Sequence, residues 1–221
     1  MQPIDFKKPK IVMFIGKPNT GKSNAIKFEV IKNVNNKIWS IGLIFTNSAF
    51  NNKEYDYMPR KYIIEGYKEN ILKKFVGSLK KYVKKHGKTL NSYIIFDDLI
   101  GLLNTRNNPY LINLISIHRH IGLSILISAQ VFKSSATSTV VRCCVNYGIF
   151  FRSEKNDIIK AIYDEFGTEF ASFEEFKTHF LKVTKKPYTA LFYDQDTDSK
   201  ENNFFAIKYP DVSKIKIELS F

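Results

Sequence analysis

The sequence predicts an α/β fold in which a mainly parallel sheet lies between two layers of helices. Short apolar runs alternate with segments of helical periodicity as far as about residue 151. The first apolar run, residues 11–15, leads into a glycine-containing loop and then a helix, and a later run, residues 93–96, ends in two aspartates. Several runs are apolar at nearly every position, which is typical of parallel strands covered on both faces.

The composition predicts one sizeable core and a polyanionic partner. The chain has 221 residues, of which 44% are hydrophobic, and its net charge is +13 with a pI of about 9.5. This charge favours nucleic acid as the partner, although a lysine-rich proteome gives the same bias. The adjacent Cys143 and Cys144 lack zinc spacing and suit a reduced, intracellular protein. Neither a membrane span nor a signal-peptide core is visible, so we expect a soluble chain without membrane contact.

The loop after the first strand matches the phosphate-binding pattern G-x-x-x-x-G-K-[ST] without a mismatch. Gly16 and Gly21 permit the dihedral angles and the close approach to phosphate that a side chain would block. Lys22 is predicted to reach the β- and γ-phosphates, and Ser23 to hold Mg²⁺. The helix that follows adds free N–H groups and the positive end of its dipole. The residues predicted to bind the nucleotide are Gly16, Lys17, Pro18, Asn19, Thr20, Gly21, Lys22, Ser23 and Asn24.

The next segments contain a second strand and a strongly basic helix. Residues 38–45 are predicted to form the strand and residues 46–60 a polar, tyrosine-rich loop, followed by a short edge segment at 62–64. Residues 68–86 carry apolar side chains at helical spacing, with lysines largely on the other faces. Two interpretations of this helix stay open, a solvated face and a face turned towards DNA.

A strand that ends in two acids, Asp97 and Asp98, resembles the Walker B pattern. Neighbouring residues of a strand point to opposite sides, so the two carboxylates can do different work. We assign Asp97 to the Mg²⁺ shell and Asp98 to the water that attacks the phosphate. A strand followed by aspartate is common, and the pattern becomes informative only after a matching phosphate loop.

The second half of the chain continues the alternation of strands and helices. The predicted elements are a helix at 111–119, a strand at 123–129, a flexible connection at 134–139, a strand at 147–151, helices at 155–166 and 172–183, and strands at 188–193 and 204–207. Gln130 follows the second of these elements and places an amide at the ligand edge of the sheet. We divide the chain into a nucleotide-binding core, residues 1–151, and an extension of helices and strands packed on it, residues 152–221.

The order of these motifs resembles the FtsK–HerA superfamily of DNA-pumping ATPases. The resemblance rests on the phosphate loop, the acid pair, Arg119 and the strand that ends at Gln130. Its specific part is the stretch 118–130, HRHIGLSILISAQ, which is similar to the genome-packaging ATPases of poxviruses, other large DNA viruses and virophages. It covers roughly residues 10–151, and the Walker motifs alone are shared with many families.

The resemblance implies a three-layer P-loop NTPase fold of the ASCE, RecA-like type. It places the strand that ends at Gln130 between the Walker A and Walker B strands, so that Gln130 lies beside the nucleotide. Members act as rings, usually hexameric or pentameric, in which a neighbour's arginine completes each site. Arg119 is the first candidate for that arginine and Arg142 the second, and an ordinary surface role is the alternative for both. The second acid of such motors is often Glu, so Asp98 departs from the pattern, which puts its role as a base in question.

The implied function is ATP-driven translocation of double-stranded DNA during the packaging of a viral genome into its capsid. ATP and Mg²⁺ are the implied cofactors. The implied partners are double-stranded DNA bound without sequence preference, further copies of the chain in a ring, and proteins of the capsid vertex. The implied location is the virion or a virus factory in the host cytoplasm.

Two other functions stay open from the sequence. The phosphate loop also resembles the first motif of Era-like GTPases, and residues 98–101, DLIG, mimic their Asp-x-x-Gly switch. However, no Asn-Lys-x-Asp motif follows to recognise guanine, and residues 52–55, NKEY, lack its aspartate and come too early. The third function is a non-motor, nucleotide-dependent scaffold or DNA-binding subunit, although the intact loop and acid pair argue against a dead site.

Overall fold

The computed structural model describes residues 4–48, 53–99, 108–131, 139–167, 169–195, 203–212, 215 and 219. Its strands are β1 Ile11–Ile15, β2 Ile41–Thr46, β3 Ile63–Glu65, β4 Ser92–Asp97, β5 Leu123–Ala129, β6 Tyr147–Phe151, β7 Thr189–Asp194 and β8 Phe204–Lys208. Its α-helices are α1 Lys22–Asn35, α2 Glu69–His86, α3 Pro109–Ile117, α4 Thr139–Cys143, α5 Asn156–Phe166 and α6 Phe173–Val183. Short 3₁₀ turns occupy Lys53–Tyr55, Arg60–Tyr62 and His118–Ile121.

The strands form one sheet in the order β3-β2-β4-β5-β1-β6-β7-β8. All neighbours from β3 to β6 are parallel, and β7 and β8 add an antiparallel edge. The predicted α/β fold with a mainly parallel sheet is confirmed. β5 lies between β1 and β4, as the resemblance implied, so the carboxyl ends of the three motif-bearing strands meet at one edge.

Two apolar clusters, one on each face of the sheet, hold the helices. Ile11, Met13 and Ile15 of β1 belong to the first cluster, which also contains residues of α2, α3, α5 and α6. Val12 and Phe14 belong to the second, together with residues of α1. Successive side chains of a strand point to opposite faces, and both faces of β1 are buried, which explains why its sequence is apolar throughout.

The structure corrects two predicted elements. The prediction that β2 begins at residue 38 is wrong, because the carbonyl of Asn33 accepts hydrogen bonds from the N–H groups of Ile38 and Trp39 and holds them in the turn after α1. The helix α4 stands where the end of a connection and the approach to a strand were predicted. The rest of that predicted connection, residues 134–138, lies outside the described residues.

The predicted loop at 46–60 contributes to the core. Tyr55, Tyr57 and Met58 are buried in the second cluster, where they accompany Ile44 of β2 and Ile63 of β3. A tyrosine-rich segment is therefore polar by composition but provides large apolar ring surface to the fold. Residues 49–52 of this predicted loop lie outside the described residues, Lys53–Tyr55 form a 3₁₀ turn, and a second turn, Arg60–Tyr62, begins at its end.

The C-terminal strands continue the sheet of the N-terminal part. β7 pairs with β6 and β8 with β7, so the predicted extension, residues 152–221, shares one sheet with the predicted core, residues 1–151. Asn24 of α1 donates to the carbonyl of Pro210 at 2.7 Å and accepts from the N–H of Val212 at 2.8 Å.

No helix in the described part of the chain combines the length and hydropathy needed to cross a membrane.

Candidate functional site

A cleft of about 760 Å³ opens at the edge of the sheet where the parallel strands end. Small-molecule sites in proteins have volumes of roughly 300–1,000 Å³. The phosphate loop, the start of α1 and the ends of β2, β4 and β5 form most of its wall. The lining residues are Pro18, Asn19, Gly21, Lys22, Ser23, Asn24, Thr46, Asn47, Ser48, Glu54, Asp97, Asp98, Gln130 and Tyr188.

The phosphate loop packs so closely against its neighbours that a side chain would not fit at its glycine positions. A Cβ atom on Gly16 would lie 2.7 Å from the Cβ of Phe151, which is closer than real Cβ atoms approach. Gly21 has a φ of 108° and Asn19 a φ of 61°, so two residues in the left-handed region turn the chain. α1 begins at Lys22, and the free N–H groups of its first turn therefore lie at the cleft.

Lys22 lies folded across this loop. Its Nζ donates to the carbonyl of Gly16 at 2.6 Å and to that of Lys17 at 2.9 Å. Burial lowers the pKa of Lys22, while the nearby carboxylates of Asp98 and Asp97 oppose that shift. The ammonium group is thus held at the point where a phosphate chain would enter the loop.

Ser23, the predicted Mg²⁺ ligand, faces an acid that the sequence did not reveal. The Ser23 side chain lies close enough to the carboxylate of Glu54 to lower the pKa of that acid. Burial raises the pKa of Glu54 and the charge of Asp97 adds to the shift, while Ser23 and Lys22 oppose it. Glu54 sits in a 3₁₀ turn of the tyrosine-rich segment, where no motif marks it.

Asp97 is buried at the end of β4 and is held by a residue of the neighbouring strand. The Oγ1 of Thr46 donates to the Oδ2 of Asp97 at 3.2 Å, and the two residues are register partners in the β2–β4 pair. Thr46 Oγ1 also lies 3.1 Å from the Oγ of Ser48. A polar residue at the carboxyl end of a buried strand is a recognisable signal, so Thr46 could have been found from the sequence.

Asp98 lies against Gln130. The Nε2 of Gln130 donates a short hydrogen bond to the Oδ2 of Asp98. The backbone of Asp98 has a φ of 50°, and its N–H donates to the carbonyl of Ser128 at 3.0 Å. Because β4 and β5 are parallel neighbours, Gln130, which follows β5, lies beside Asp98, which follows β4. The structure therefore brings together the two groups that were predicted to act at the γ-phosphate.

The other predicted nucleotide ligands differ in what their side chains do. Pro18 and Asn19 line the cleft. Thr20 Oγ1 donates to the carbonyl of Lys17 at 2.7 Å and so closes the loop from within. Asn24 also lines the cleft, but both ends of its amide are bound to the segment after β8, which makes it an anchor for that segment.

The two predicted arginines lie at the opposite edge of the sheet. Arg119 belongs to the 3₁₀ turn before β5, and Arg142 to the helix before β6, where these strands begin. The Nε of Arg142 is 2.7 Å from the Oε2 of Glu165. Arg119 is exposed beside a second pocket of about 570 Å³. Neither arginine lines the cleft of its own chain.

Tyr188 is a further cleft residue that the sequence did not reveal. Its φ of 57° lies in the left-handed region, which is an outlier conformation for a bulky residue. A Cβ atom on Gly21 would lie 3.0 Å from the Cδ1 of Tyr188, so the ring rests against the phosphate loop. The N–H of Tyr209 donates to the carbonyl of Tyr188 at 2.9 Å. The sequence of the turn before β7 contains no pattern that predicts a contact with the phosphate loop.

The residues at the cleft fit a nucleoside triphosphate with Mg²⁺. A helix N-terminus and a lysine suit phosphate groups. The hydroxyl of Ser23 and the carboxylate of Asp97 are the hard oxygen donors that Mg²⁺ prefers, in a site where the ion keeps waters and phosphates as its other ligands.

No protein-family model matches the sequence, and the search of curated proteins finds no match. Solved structures do match. The genome packaging NTPase B204 from Sulfolobus turreted icosahedral virus 2, in complex with AMPPCP, has a TM-score of 0.65 at 20% identity, over 93% of this chain and 98% of that chain. The DNA-packaging ATPase B204 from Sulfolobus Turreted Icosahedral Virus has a TM-score of 0.63 at 21% identity, over 91% and 98%. The pCW3 conjugation coupling protein TcpA, with ATPγS, has a TM-score of 0.67 at 14% identity, over 96% and 63%.

These similarities establish the fold. The first two neighbours match along nearly their whole length, so the C-terminal helices and strands of this chain belong to the shared architecture as well. The predicted three-layer P-loop NTPase fold is confirmed. The chain has the fold of the genome packaging NTPase B204 and of the conjugation coupling protein TcpA.

Proposed function

We propose that this protein is an ATPase that couples ATP hydrolysis to the translocation of double-stranded DNA during viral genome packaging. One observation carries the proposal. Lys22, Asp97, Asp98 and Gln130 meet at one edge of the sheet, in a strand order that the packaging resemblance predicts. Proteins with this fold include a genome packaging NTPase that was solved with ATP analogues.

Nucleotide binding begins with the phosphate loop. An entering phosphate chain replaces the carbonyls of Gly16 and Lys17 as partners of the Lys22 ammonium group. The N–H groups of the first turn of α1 add the positive end of the helix dipole. When Mg²⁺ is bound, Ser23 and, through water, Asp97 would hold it, and its charge would neutralise the β- and γ-phosphate oxygens.

Hydrolysis relies on the pair formed by Asp98 and Gln130. Asp98 accepts a hydrogen bond from the attacking water and orients it towards the γ-phosphate. The Gln130 amide holds Asp98 in the structure, and a γ-phosphate gives the same amide a second acceptor. Movement of the amide between these acceptors would link the state of the nucleotide to the end of β5.

A ring of identical subunits completes each site. Arg119 and Arg142 lie at the edge of the sheet opposite to their own cleft, so a role at a nucleotide would be at the cleft of a neighbouring subunit. Arg119 is the better candidate because it is exposed, whereas Arg142 is engaged with Glu165.

The first test is nucleotide hydrolysis by the purified protein, with ATP against GTP and with and without double-stranded DNA at low salt. We expect turnover of ATP that DNA raises several-fold, and loss of turnover in Lys22→Ala. Lys8→Ala, which removes an exposed lysine away from the cleft, is the matched control. Preference for GTP without a response to DNA would contradict the proposal and favour the GTPase alternative. Unchanged ATP hydrolysis in Lys22→Ala would show that the site is wrongly assigned.

A further inference from the structure

The exposed side of α2 carries a dense positive charge outside the nucleotide cleft. The helix contains six lysines and one glutamate, and its buried residues Leu72, Val76 and Leu79 fix the opposite side on the sheet. We name the exposed side the lysine face of α2. It consists of the exposed Lys73, Lys74, Lys80, Lys81, Lys84 and Lys85, with the half-buried Gly77 among them.

Acids do little to neutralise this face. Lys73 pairs with Glu69 at 2.5 Å, and the other lysines of the face have no ion pair within the described part of the chain. Lys80 and Lys84 are four residues apart, as are Lys81 and Lys85, and like charges at this spacing destabilise a helix. The lysine charges of the folded helix therefore repel one another, and a bound polyanion would remove this repulsion.

Gly77 lies at the centre of the lysine face. Residues three and four positions apart are neighbours on a helix surface, and those neighbours of Gly77 are Lys73, Lys74, Lys80 and Lys81. A Cβ atom on Gly77 would meet nothing within 4 Å, so intramolecular packing does not require a glycine here. A glycine inside a helix costs stability relative to alanine. The half-buried Gly77 thus lies among four lysines and leaves the helix backbone there without a covering side chain.

We propose that the lysine face of α2 binds the phosphate backbone of double-stranded DNA. Lysines act as point charges that position a phosphate chain without reading bases. The bare backbone at Gly77 lets a phosphate approach the helix more closely than any side chain would allow. The helix has 18 residues and is about 27 Å long, so several successive phosphates of a duplex fit along it. The inference rests on the proposed function, since the duplex is the one that the ATPase moves.

The position of α2 connects this face with the nucleotide cleft. The helix follows β3, whose last residue, Glu65, pairs with Thr46 at the cleft edge of the sheet. It returns to the start of β4, which ends in Asp97. DNA on the lysine face would therefore lie on a helix that leads from β3, the neighbour of β2 in the sheet, to β4, which ends in Asp97.

The test compares two variants that lose the same charge. The first replaces Lys80, Lys81, Lys84 and Lys85 with Gln, and the second replaces Lys7, Lys8, Lys182 and Lys185, which are exposed elsewhere. Gln has nearly the helix propensity of Lys, so the fold is retained. Binding to labelled duplexes of two unrelated sequences is measured by fluorescence anisotropy over a range of salt concentrations. ATP hydrolysis is measured in parallel, with and without DNA.

We expect the lysine-face variant to bind both duplexes at least about ten-fold more weakly at low salt, with a salt slope lower by up to about four. Its hydrolysis without DNA stays normal, and stimulation by DNA is lost. The control variant changes DNA affinity by less than about three-fold. Gly77→Ala raises the melting temperature but weakens DNA binding without changing the salt slope, because it blocks the approach and leaves every charge in place.

Two results would overturn the inference, and a third would remove one part of it. Equal loss of affinity in the two charge variants would mean that net charge, rather than this face, attracts DNA. Normal DNA binding by the lysine-face variant would show that this face does not bind DNA. If the same variant no longer bound labelled polyglutamate, used as a probe for acidic proteins, the face would be assigned to an acidic protein. Tighter or unchanged DNA binding by Gly77→Ala would remove the role of the bare backbone. If the unmutated protein hydrolyses ATP but ignores DNA, it is the proposed function that fails.

Discussion

The side-chain amide of Gln130 donates a hydrogen bond to the carboxylate of Asp98, 32 positions away in the chain. Each residue follows directly after the last residue of its strand, and the two strands are parallel neighbours. The contact joins the group assigned to the attacking water with the group assigned to the γ-phosphate. A change at one of them is therefore expected to alter the position of the other.

Replacing Gln130 tests this link. In Gln130→Glu the donor becomes an acid that repels Asp98, and the hydrogen bond is lost. We expect single-turnover ATP hydrolysis to fall by about 100-fold, as for loss of one positioned donor in other active sites, with ATP affinity within about three-fold. Gln130→Ala, which removes the amide without adding charge, is the control and should also lose hydrolysis. Hydrolysis at the unmutated rate in both variants would refute the role of the pair.

Thr46 is expected to position Asp97. Thr46→Val keeps the shape of the side chain but removes the hydroxyl that donates to the Asp97 carboxylate. We expect activity at limiting Mg²⁺ to fall by about ten-fold, as for partners that orient metal ligands elsewhere. Thr46→Ser retains the hydroxyl and should stay near normal. Titration of activity with Mg²⁺ measures the effect, and identical titrations for the two variants would contradict it.

Tyr188 is expected to hold the nucleotide through its ring. The ring lies in the cleft against the phosphate loop, so it offers a flat apolar surface to a bound base. We expect Tyr188→Ala to weaken ATP binding by about ten-fold, the lower range for loss of one stacked base, while Tyr188→Phe binds normally. Equilibrium binding of a fluorescent ATP analogue provides the measurement. Weak binding by the Phe variant would instead assign the effect to the hydroxyl.

Arg119 is expected to act between subunits. Arg119→Ala and Asp98→Ala should each abolish turnover, since the arginine in related phosphoryl-transfer sites contributes about a thousand-fold or more. In mixed rings, some interfaces combine an intact Asp98 from one subunit with an intact Arg119 from the next. Mixing the two inactive proteins should therefore restore part of the activity. Mixtures that stay inactive, in rings shown to exchange subunits, would exclude Arg119, and the same experiment with Arg142→Ala would test the second candidate.

His118 is expected to make stability depend on pH. Its Nδ1 donates to the carbonyl of Leu123 at 2.9 Å, and burial lowers the pKa of the imidazole. Below the ordinary histidine value of about 6.5 the unfolded chain gains a proton that the folded one does not, so the free energy of unfolding falls with falling pH. His118→Asn keeps a donor and should flatten this slope in urea denaturation between about pH 7 and pH 5. His120→Asn, at an exposed position of the same turn, is the control for the substitution itself.

The sequence predicted those parts of the site that depend on local order. The phosphate loop and the strand before Asp97 are continuous segments whose residue types are set by their own backbone geometry. The position of Gln130 followed from a resemblance, and the parallel pairing of β4 and β5 agrees with it. The roles of these residues in binding and hydrolysis stay predictions.

The residues that were missed come together only through the tertiary fold. Glu54 and Tyr188 reach the cleft from a 3₁₀ turn and from the turn before β7, and neither segment has a periodicity that indicates a site. The helix α4 is too short for its apolar residues to show helical spacing. Trp39 was assigned to β2 because it is apolar, although the carbonyl of Asn33 holds its N–H in the preceding turn.

The strand order has a consequence for how the protein folds during its synthesis on the ribosome. Ile11 of β1 pairs with Ile125 of β5, and Val12 pairs with Tyr147 of β6. At roughly 5–20 residues per second, the strand that leads into the phosphate loop waits for several seconds before its partners are made. During that time an apolar segment is open to chaperones or to aggregation. The ability to hold a nucleotide therefore arises late in synthesis, and a nascent chain that stops before β5 is expected to lack it.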